Sequence, residues 1–163
     1  MPSSAARILG VDPGVSGAIA LLEGAVLIDV FDMPIIETQV GKKKKRRISP
    51  EILAVELEKY ADSIEKAYIE DVHAMPGQGV SSMFAFGEAC GLVRGVLAGL
   101  KVPVRLVSPS TWKRGMGLQA GKDASRGMAA RLWPGSAGTF KRRCDDGRAE
   151  AALIAYWGSI QPV

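Results

Sequence analysis

Cysteine, histidine and aromatic residues are scarce in this chain, whose 163 residues include two cysteines, one histidine and 6% aromatics. Cys90 and Cys144 lie far apart and outside metal-ligand spacing, which argues against a disulfide scaffold or a thiolate zinc site and leaves two free thiols. No apolar run approaches the ~20 residues of a membrane helix. Met1–Arg7 runs straight into a strand without the apolar centre of a secretory signal, so a cytoplasmic location is expected. The phosphate-loop pattern GxxxxGK[ST] is missing as well.

What is present is an ordinary globular composition, 47% hydrophobic and 23% charged, in a length that suits one domain over residues 1–163. The net charge of +4 points to a polyanionic partner without naming one. Its distribution says more, because Lys42, Lys43, Lys44, Lys45, Arg46 and Arg47 form an unbroken basic run between two structured segments. Such runs are often only solvated loops. Inside a compact domain, however, six like charges repel one another unless something neutralises them, which favours binding to a phosphate backbone.

Ala6–Val11 reads as a buried strand closed by the Asp12-Pro13-Gly14 turn. Gly17–Leu22 and Val26–Phe31 follow as strands on short links, implying an antiparallel meander. Met33–Arg47 reads as a loop. Ser49-Pro50-Glu51 signals a helix start, and Leu53, Leu57, Tyr60, Ala61 and Ile64 continue at helical spacing. Ala67–Asp71 is a fourth strand, and a helix runs from about Ser81 to Leu100. Pro103–Val107 is a fifth strand, followed by a short helix carrying Trp112 and Lys113. Two further helices run from Lys122 to Trp133 and from about Asp146 to Trp157. This order predicts an α/β fold, a mixed five-stranded sheet with three antiparallel strands, then parallel ones, and helices on both faces.

Four acids carry the chemistry. Asp12 ends the first strand and Glu70 the fourth; if those strands are parallel neighbours, the two carboxylates share one sheet edge about 5 Å apart, where open α/β sheets bind ligands. Asp146 and Glu150 are four apart on the last helix, above an apolar stripe of Leu153, Ile154 and Trp157 that would dock it on the sheet. Taken singly, each acid has an ordinary reading. Asp12 suits a turn, Asp146 a helix cap with Asp145 beside it, and Glu150 a surface; Glu70, inside an apolar strand, is hardest to dismiss. Together they would repel strongly without cations, which calls for divalent metal. Two hard cations about 3.5–4 Å apart suit in-line displacement at a phosphodiester.

These segments resemble the RuvC family of ribonuclease H-like Holliday junction resolvases. Ile8-Leu9-Gly10-Val11-Asp12-Pro13-Gly14 is similar to the family's first catalytic strand, and Tyr68-Ile69-Glu70-Asp71-Val72 to its second. Met83 through Gly99 resembles its long central helix, and Asp146-Gly147-Arg148-Ala149-Glu150 opens a segment like its acidic last helix. Val107-Ser108-Pro109-Ser110-Thr111-Trp112-Lys113 resembles phage-type members. The resemblance covers about residues 7–158. It implies a ribonuclease H-like fold, a homodimer, Mg²⁺ (with Mn²⁺ as substitute, two ions per site) and paired nicking of four-way DNA junctions. Asp12, Glu70 and Glu150 carry over as metal-binding catalytic residues. Asp146 carries over less directly, because familiar members space the last pair by three, where this chain has Gly147; Asp145 is its rival. His73 stands where some relatives carry an aromatic wedge, and a DNA contact or help with a proton transfer there competes with an ordinary loop histidine. Lys113 is a candidate DNA contact. Lys122, which opens a helix close to Lys113 and Arg114 in sequence, is a candidate to neutralise the scissile phosphate, a solvated lysine being the equal alternative.

Other functions also fit parts of this pattern. Actin-like kinases share the core strand and turn but need two such domains around the nucleotide. A non-catalytic junction binder would keep the basic surface without the acids. Flaps, other branched DNA and RNA hybrids are rival substrates. Gly87, Gly91, Gly95 and Gly99 recur every four residues on the central helix, a groove for another backbone with Phe84, Phe86, Leu92 or Val96 beside it. Packing of that groove against the chain's own sheet is the alternative to a dimer.

Overall fold

Alternation along β1 (Arg7–Asp12) divides its side chains between two cores. Leu9 and Val11 enter one, and Ile8 enters the other together with Gly10, which packs against the last helix. The computed structural model describes residues 6–121 and 123–162. β2 (Ala18–Glu23) and β3 (Val26–Asp32) pair antiparallel to form the meander, while β6 (Ile64–Glu70) and β7 (Val104–Val107) add in parallel. The five-stranded order is β3-β2-β1-β6-β7, as the sequence pattern implies.

Helices cover both faces. On one, α1 (Pro50–Glu58) and α2 (Val80–Gly99) bury Leu53, Leu57, Ala89, Val93 and Leu97 against Leu9, Val11, Ile19, Leu21 and Ile69. On the other, α3 (Pro109–Gly115), α4 (Ala124–Leu132) and α5 (Asp146–Ser159) close over Ile8, Ala20, Leu22 and Tyr68. Two predicted helix starts hold, with Ser49 Oγ accepting the Ile52 N–H at 3.3 Å and Ser108 Oγ that of Thr111 at 3.2 Å. The first of these helices ends at Glu58, however, and Ile64, expected to continue it, opens β6.

Residues 33–47 depart from the expected loop. β4 (Ile35–Val40) and β5 (Lys43–Ile48) form a separate antiparallel hairpin, and Gly41 turns it at φ +61°. Consecutive cations carry no alternation of polarity, so the sequence gives no strand period here. Cross-strand pairing of Ile35 with Ile48 and of Glu37 with Arg46 supplies the order instead. A second departure concerns α2, whose most apolar 18 residues average a hydropathy of 1.3, apolar enough by length and composition alone to cross a membrane. Glu88 and Arg94 interrupt the run in sequence, and the helix docks on the sheet through Ala89, Val93 and Leu97.

Candidate active site

Two glycines bring α5 to the carboxyl edge of the sheet. At Gly10 a Cβ would overlap the backbone of Ala151 and Ala155, so α5 lies directly on β1. At Gly147 a Cβ would run into Ser16 and Gly17 in the turn after Asp12. The first turns of α5 are thereby pressed against the end of β1. Parallel pairing of Val11 with Ile69 puts Asp12 and Glu70 at adjacent strand ends, on the face that α5 covers.

Asp12, Asp146 and Glu150 line one open cleft of about 1090 Å³, together with Lys113 and Arg126. Glu70 lies deeper, only 8% exposed. Burial, followed by the charges of Glu70 and Glu150, pushes the Asp12 carboxyl up to about 7, against partial relief from the Gly14 backbone and Lys113. Burial also raises Glu70, opposed by a hydrogen bond from Trp112 and reinforced by Glu150. Lys113 Nζ reaches Glu150 Oε1 at 2.9 Å. Burial would lower this ammonium, but that bond and the charges of Glu150, Glu70 and Asp12 outweigh it and raise the lysine.

The two adjacent aspartates separate cleanly. Asp145 is 1% exposed, accepts the Arg142 backbone N–H at 2.7 Å and pairs with the Arg142 guanidinium at 2.9 Å. Those bonds hold its carboxyl below the ordinary value. Asp145 caps the turn leading into α5, and Asp146 faces the cleft, where Arg126 Nε donates to it at 2.6 Å. Arg126 also pairs with Asp123 and donates to the Lys141 carbonyl at 3.1 Å.

As arranged, every carboxylate is held by a donor or by burial, and no three acidic, histidine or cysteine side chains among the described residues converge on one ion's position. The chemistry of the set nonetheless fits a hard divalent cation. Its donors are carboxylate oxygens, and their mutual repulsion at Asp12 is what such a charge relieves.

The remaining sequence candidates lie elsewhere. On the hairpin, Lys44 pairs with Glu37 at 3.2 Å, Arg47 with Glu88 at 3.7 Å, and Arg46 donates to the Val15 carbonyl at 3.3 Å. Among the described residues Lys42, Lys43 and Lys45 make no ion pair, and Lys42 and Lys43 are exposed. The hairpin thus touches the turn beyond Asp12 through Arg46 and presents unpaired cations outward. His73 is exposed, 3.3 Å from Asp71, and does not line the cleft. Lys122 lies outside the described residues. Among the described residues a Cβ at Gly87, Gly91, Gly95 or Gly99 would meet nothing within 4 Å, so the glycine groove faces away from the chain's own sheet. Phe84 beside it is 69% exposed, whereas Leu92 and Val96 pack partly on the chain's own core and are weaker candidates for an outward contact.

Sequence reasoning passed over Trp112 and Arg126 as partners of the acids. Trp112 stands beside Lys113 in a segment already singled out; Arg126, four residues beyond Lys122, carries no local signal.

A mixed sheet in this order, with acids at one edge beneath the last helix, is the RuvC-like, ribonuclease H-like fold. The chain superposes on Thermus thermophilus RuvC with a TM-score of 0.52 at 16% identity, covering 93% of this chain and 95% of that one. Against T. thermophilus RuvC in complex with Holliday junction substrate the score is 0.56 at 16% identity, covering 93% and 91%. In sequence the chain is similar to the chloroplastic Holliday junction resolvase MOC1 of Chlamydomonas reinhardtii, 34% identical over 92 residues. That match takes in 55% of this chain but a tenth of the curated relative's length. No family model matches the chain.

Proposed function

We propose that this chain is a metal-dependent endonuclease that resolves four-way DNA junctions by paired phosphodiester hydrolysis. The observation that carries this reading is the gathering of Asp12, Glu70 and Glu150 at one sheet edge, where burial and then the charges of Glu70 and Glu150 push the Asp12 carboxyl up to about 7. Asp12, Glu70 and Glu150, with Asp146 on the cleft wall, would hold two Mg²⁺ ions, for which Mn²⁺ can substitute. When bound, such ions supply an activated water and neutralise charge on the scissile phosphate.

The chain's own residues do the rest. Lys113 presents an ammonium at the cleft floor, where an entering phosphate would draw it from Glu150. Lys42, Lys43 and Lys45 on the hairpin grip the backbone away from the cut. A second copy across the glycine groove of α2 supplies the symmetric partner site that paired nicking requires. The similarity to chloroplastic MOC1 and the likeness to a junction-bound RuvC support a junction as substrate.

The deciding experiment offers a labelled four-way junction beside a flap and a plain duplex, with Mg²⁺, Mn²⁺ or Ca²⁺. Symmetric nicks in the junction with Mg²⁺ or Mn²⁺ and little turnover with Ca²⁺ are expected. Equal cutting of the flap would move the substrate to branched DNA in general, and no cutting with any ion would leave a junction-binding protein.

A further inference from the structure

Trp112 is fully buried, and a buried indole needs an acceptor for its N–H. A neutral carbonyl is the ordinary solution: Trp133, also buried, donates to the Ala25 carbonyl at 2.9 Å. Trp112 instead donates to Glu70 Oε1 at 2.8 Å in a buried bond. A charge-assisted bond of this kind is roughly twice as strong as a neutral one and restrains the oxygen that accepts it. Among the described residues Glu70 takes no other side-chain hydrogen bond, so one of its oxygens is committed and the other is not.

The next residue acts on the opposite wall. Lys113 Nζ holds Glu150 Oε1 at 2.9 Å and lies 5.1 Å from the Trp112 ring centroid. One turn of α3 therefore touches a carboxylate from β6 and another from α5. The helix is itself anchored, by the Ser108 cap at one end and at the other by Gly115, where a Cβ would overlap the Trp157 indole of α5.

We propose that Trp112 is a positioning residue: its indole N–H sets the Glu70 carboxylate to receive a divalent cation, and with Lys113 on Glu150 it makes α3 a clamp across the two walls of the site. This rests on the reading of Glu70 as a metal ligand. Space-filling alone would not require the N–H, because a phenylalanine ring also fills an apolar pocket. Partners that orient a ligand in this way typically govern metal affinity by 10–100-fold.

Trp112→Phe keeps an aromatic ring and removes the donor. Titrated with Mn²⁺ in the absence of DNA, the variant should bind at least about 10-fold more weakly. At saturating Mn²⁺ its kcat should fall while KM for junction DNA stays constant. In a Glu70→Gln background the same substitution should cost no further Mn²⁺ affinity; an equal further loss would mean that the ring acts through the fold, which overturns the proposal. Unchanged Mn²⁺ affinity in the single variant overturns it too. The wild-type protein gives a test independent of that variant's folding, because ¹⁵N-labelled tryptophan reports each of the 3 indoles separately. The indole signal displaced by Glu70→Gln should also move when Mg²⁺ is added to wild type, and a signal that ignores Mg²⁺ refutes the clamp. If Glu70→Gln itself binds Mn²⁺ as wild type does, the ligand assignment fails and the clamp with it.

Discussion

The two faces of the central sheet organise charge in opposite ways. Under α5, acids are drawn inward, and each meets a specific donor: Glu70 on Trp112, Glu150 on Lys113, Asp146 on Arg126. Across the sheet, the hairpin and α2 turn cations and apolar side chains outward, with Lys42 and Lys43 exposed and Phe84 69% exposed. Internal pairing fixes geometry, and it costs stability where like charges are forced together. Outward charge leaves geometry loose and suits a partner that arrives from solution. Under the proposed function the difference separates a site that reacts from a surface that binds, and each side can be tested by substitutions that should leave the other intact.

The largest effect is expected on the inward side. Asp12→Asn or Glu70→Gln should lower cleavage at least about 10³-fold while junction affinity in Ca²⁺ holds or improves, since each removes a ligand and a charge facing phosphate. Near wild-type cutting by Asp12→Asn would show that the acids are not the reacting centre. The same variant carries a signature in stability. Because the Asp12 carboxyl is raised from 3.8 to about 7, the protonated form favours the fold, and that contribution is lost as pH rises from about 4 through 7. In EDTA at pH 8, Asp12→Asn should therefore be more stable than wild type by about 2 kcal/mol, with a smaller gain at pH 5. Denaturant unfolding at both pH values measures it.

On the outward side, neutralising Lys43, Lys44, Lys45 and Arg46 together should weaken junction binding about 10- to 100-fold at moderate salt. Each lost phosphate contact should flatten the log–log salt slope by about 0.9. The rate at saturating DNA should change far less. An unchanged slope in a binding titration across salt concentrations would reduce the hairpin to a solvated ribbon.

The same division explains what could be read in the chain without coordinates. Strand order and the acids' shared edge follow from local signals: the apolar run into Asp12-Pro13-Gly14, an acid inside Ala67–Glu70, and the i,i+4 pair above Leu153 and Ile154. The hairpin escapes because Lys43–Arg47 has no polar–apolar alternation, and its register comes from contacts with residues 35–40. Trp112 on Glu70 joins residues 42 positions apart, and Arg126 on Asp146 joins residues 20 apart. No spacing rule reaches such pairs. Gly10 looks like an ordinary strand glycine and Gly147 like an ordinary helix glycine until α5 is laid on β1 and the turn that follows it.

Asp145 and Asp146 sharpen the comparison at the scale of adjacent residues. Asp145→Ala removes a buried cap and should cost about 2 kcal/mol in unfolding, with cleavage by the folded protein close to wild type. Asp146→Ala loses a half-exposed ion pair and should change stability by no more than about 0.5 kcal/mol, yet reduce cleavage more than Asp145→Ala does. Melting curves run beside single-turnover rates separate the two, and a reversed order would make Asp145 the ligand.

The smallest energies belong to the glycine groove, where sign matters more than size. Glycine inside a helix is about 1 kcal/mol less favourable than alanine, and a Cβ at Gly91 or Gly95 meets nothing within 4 Å among the described residues. If the groove only faces water, Gly91→Ala and Gly95→Ala should each stabilise the protein by roughly that amount, with no change in mass. If a second copy lies in the groove, the added methyl groups separate the two backbones, and Gly91→Leu separates them further. Sedimentation should then find wild type near twice 17.3 kDa at micromolar concentration and the leucine variant near 17.3 kDa. The folded monomer should retain single nicks while losing their pairing on a four-way junction. A wild-type chain that stays monomeric both free and on junction DNA would remove the twofold partner, leaving one inward site and one outward surface on a nuclease that cuts a single strand.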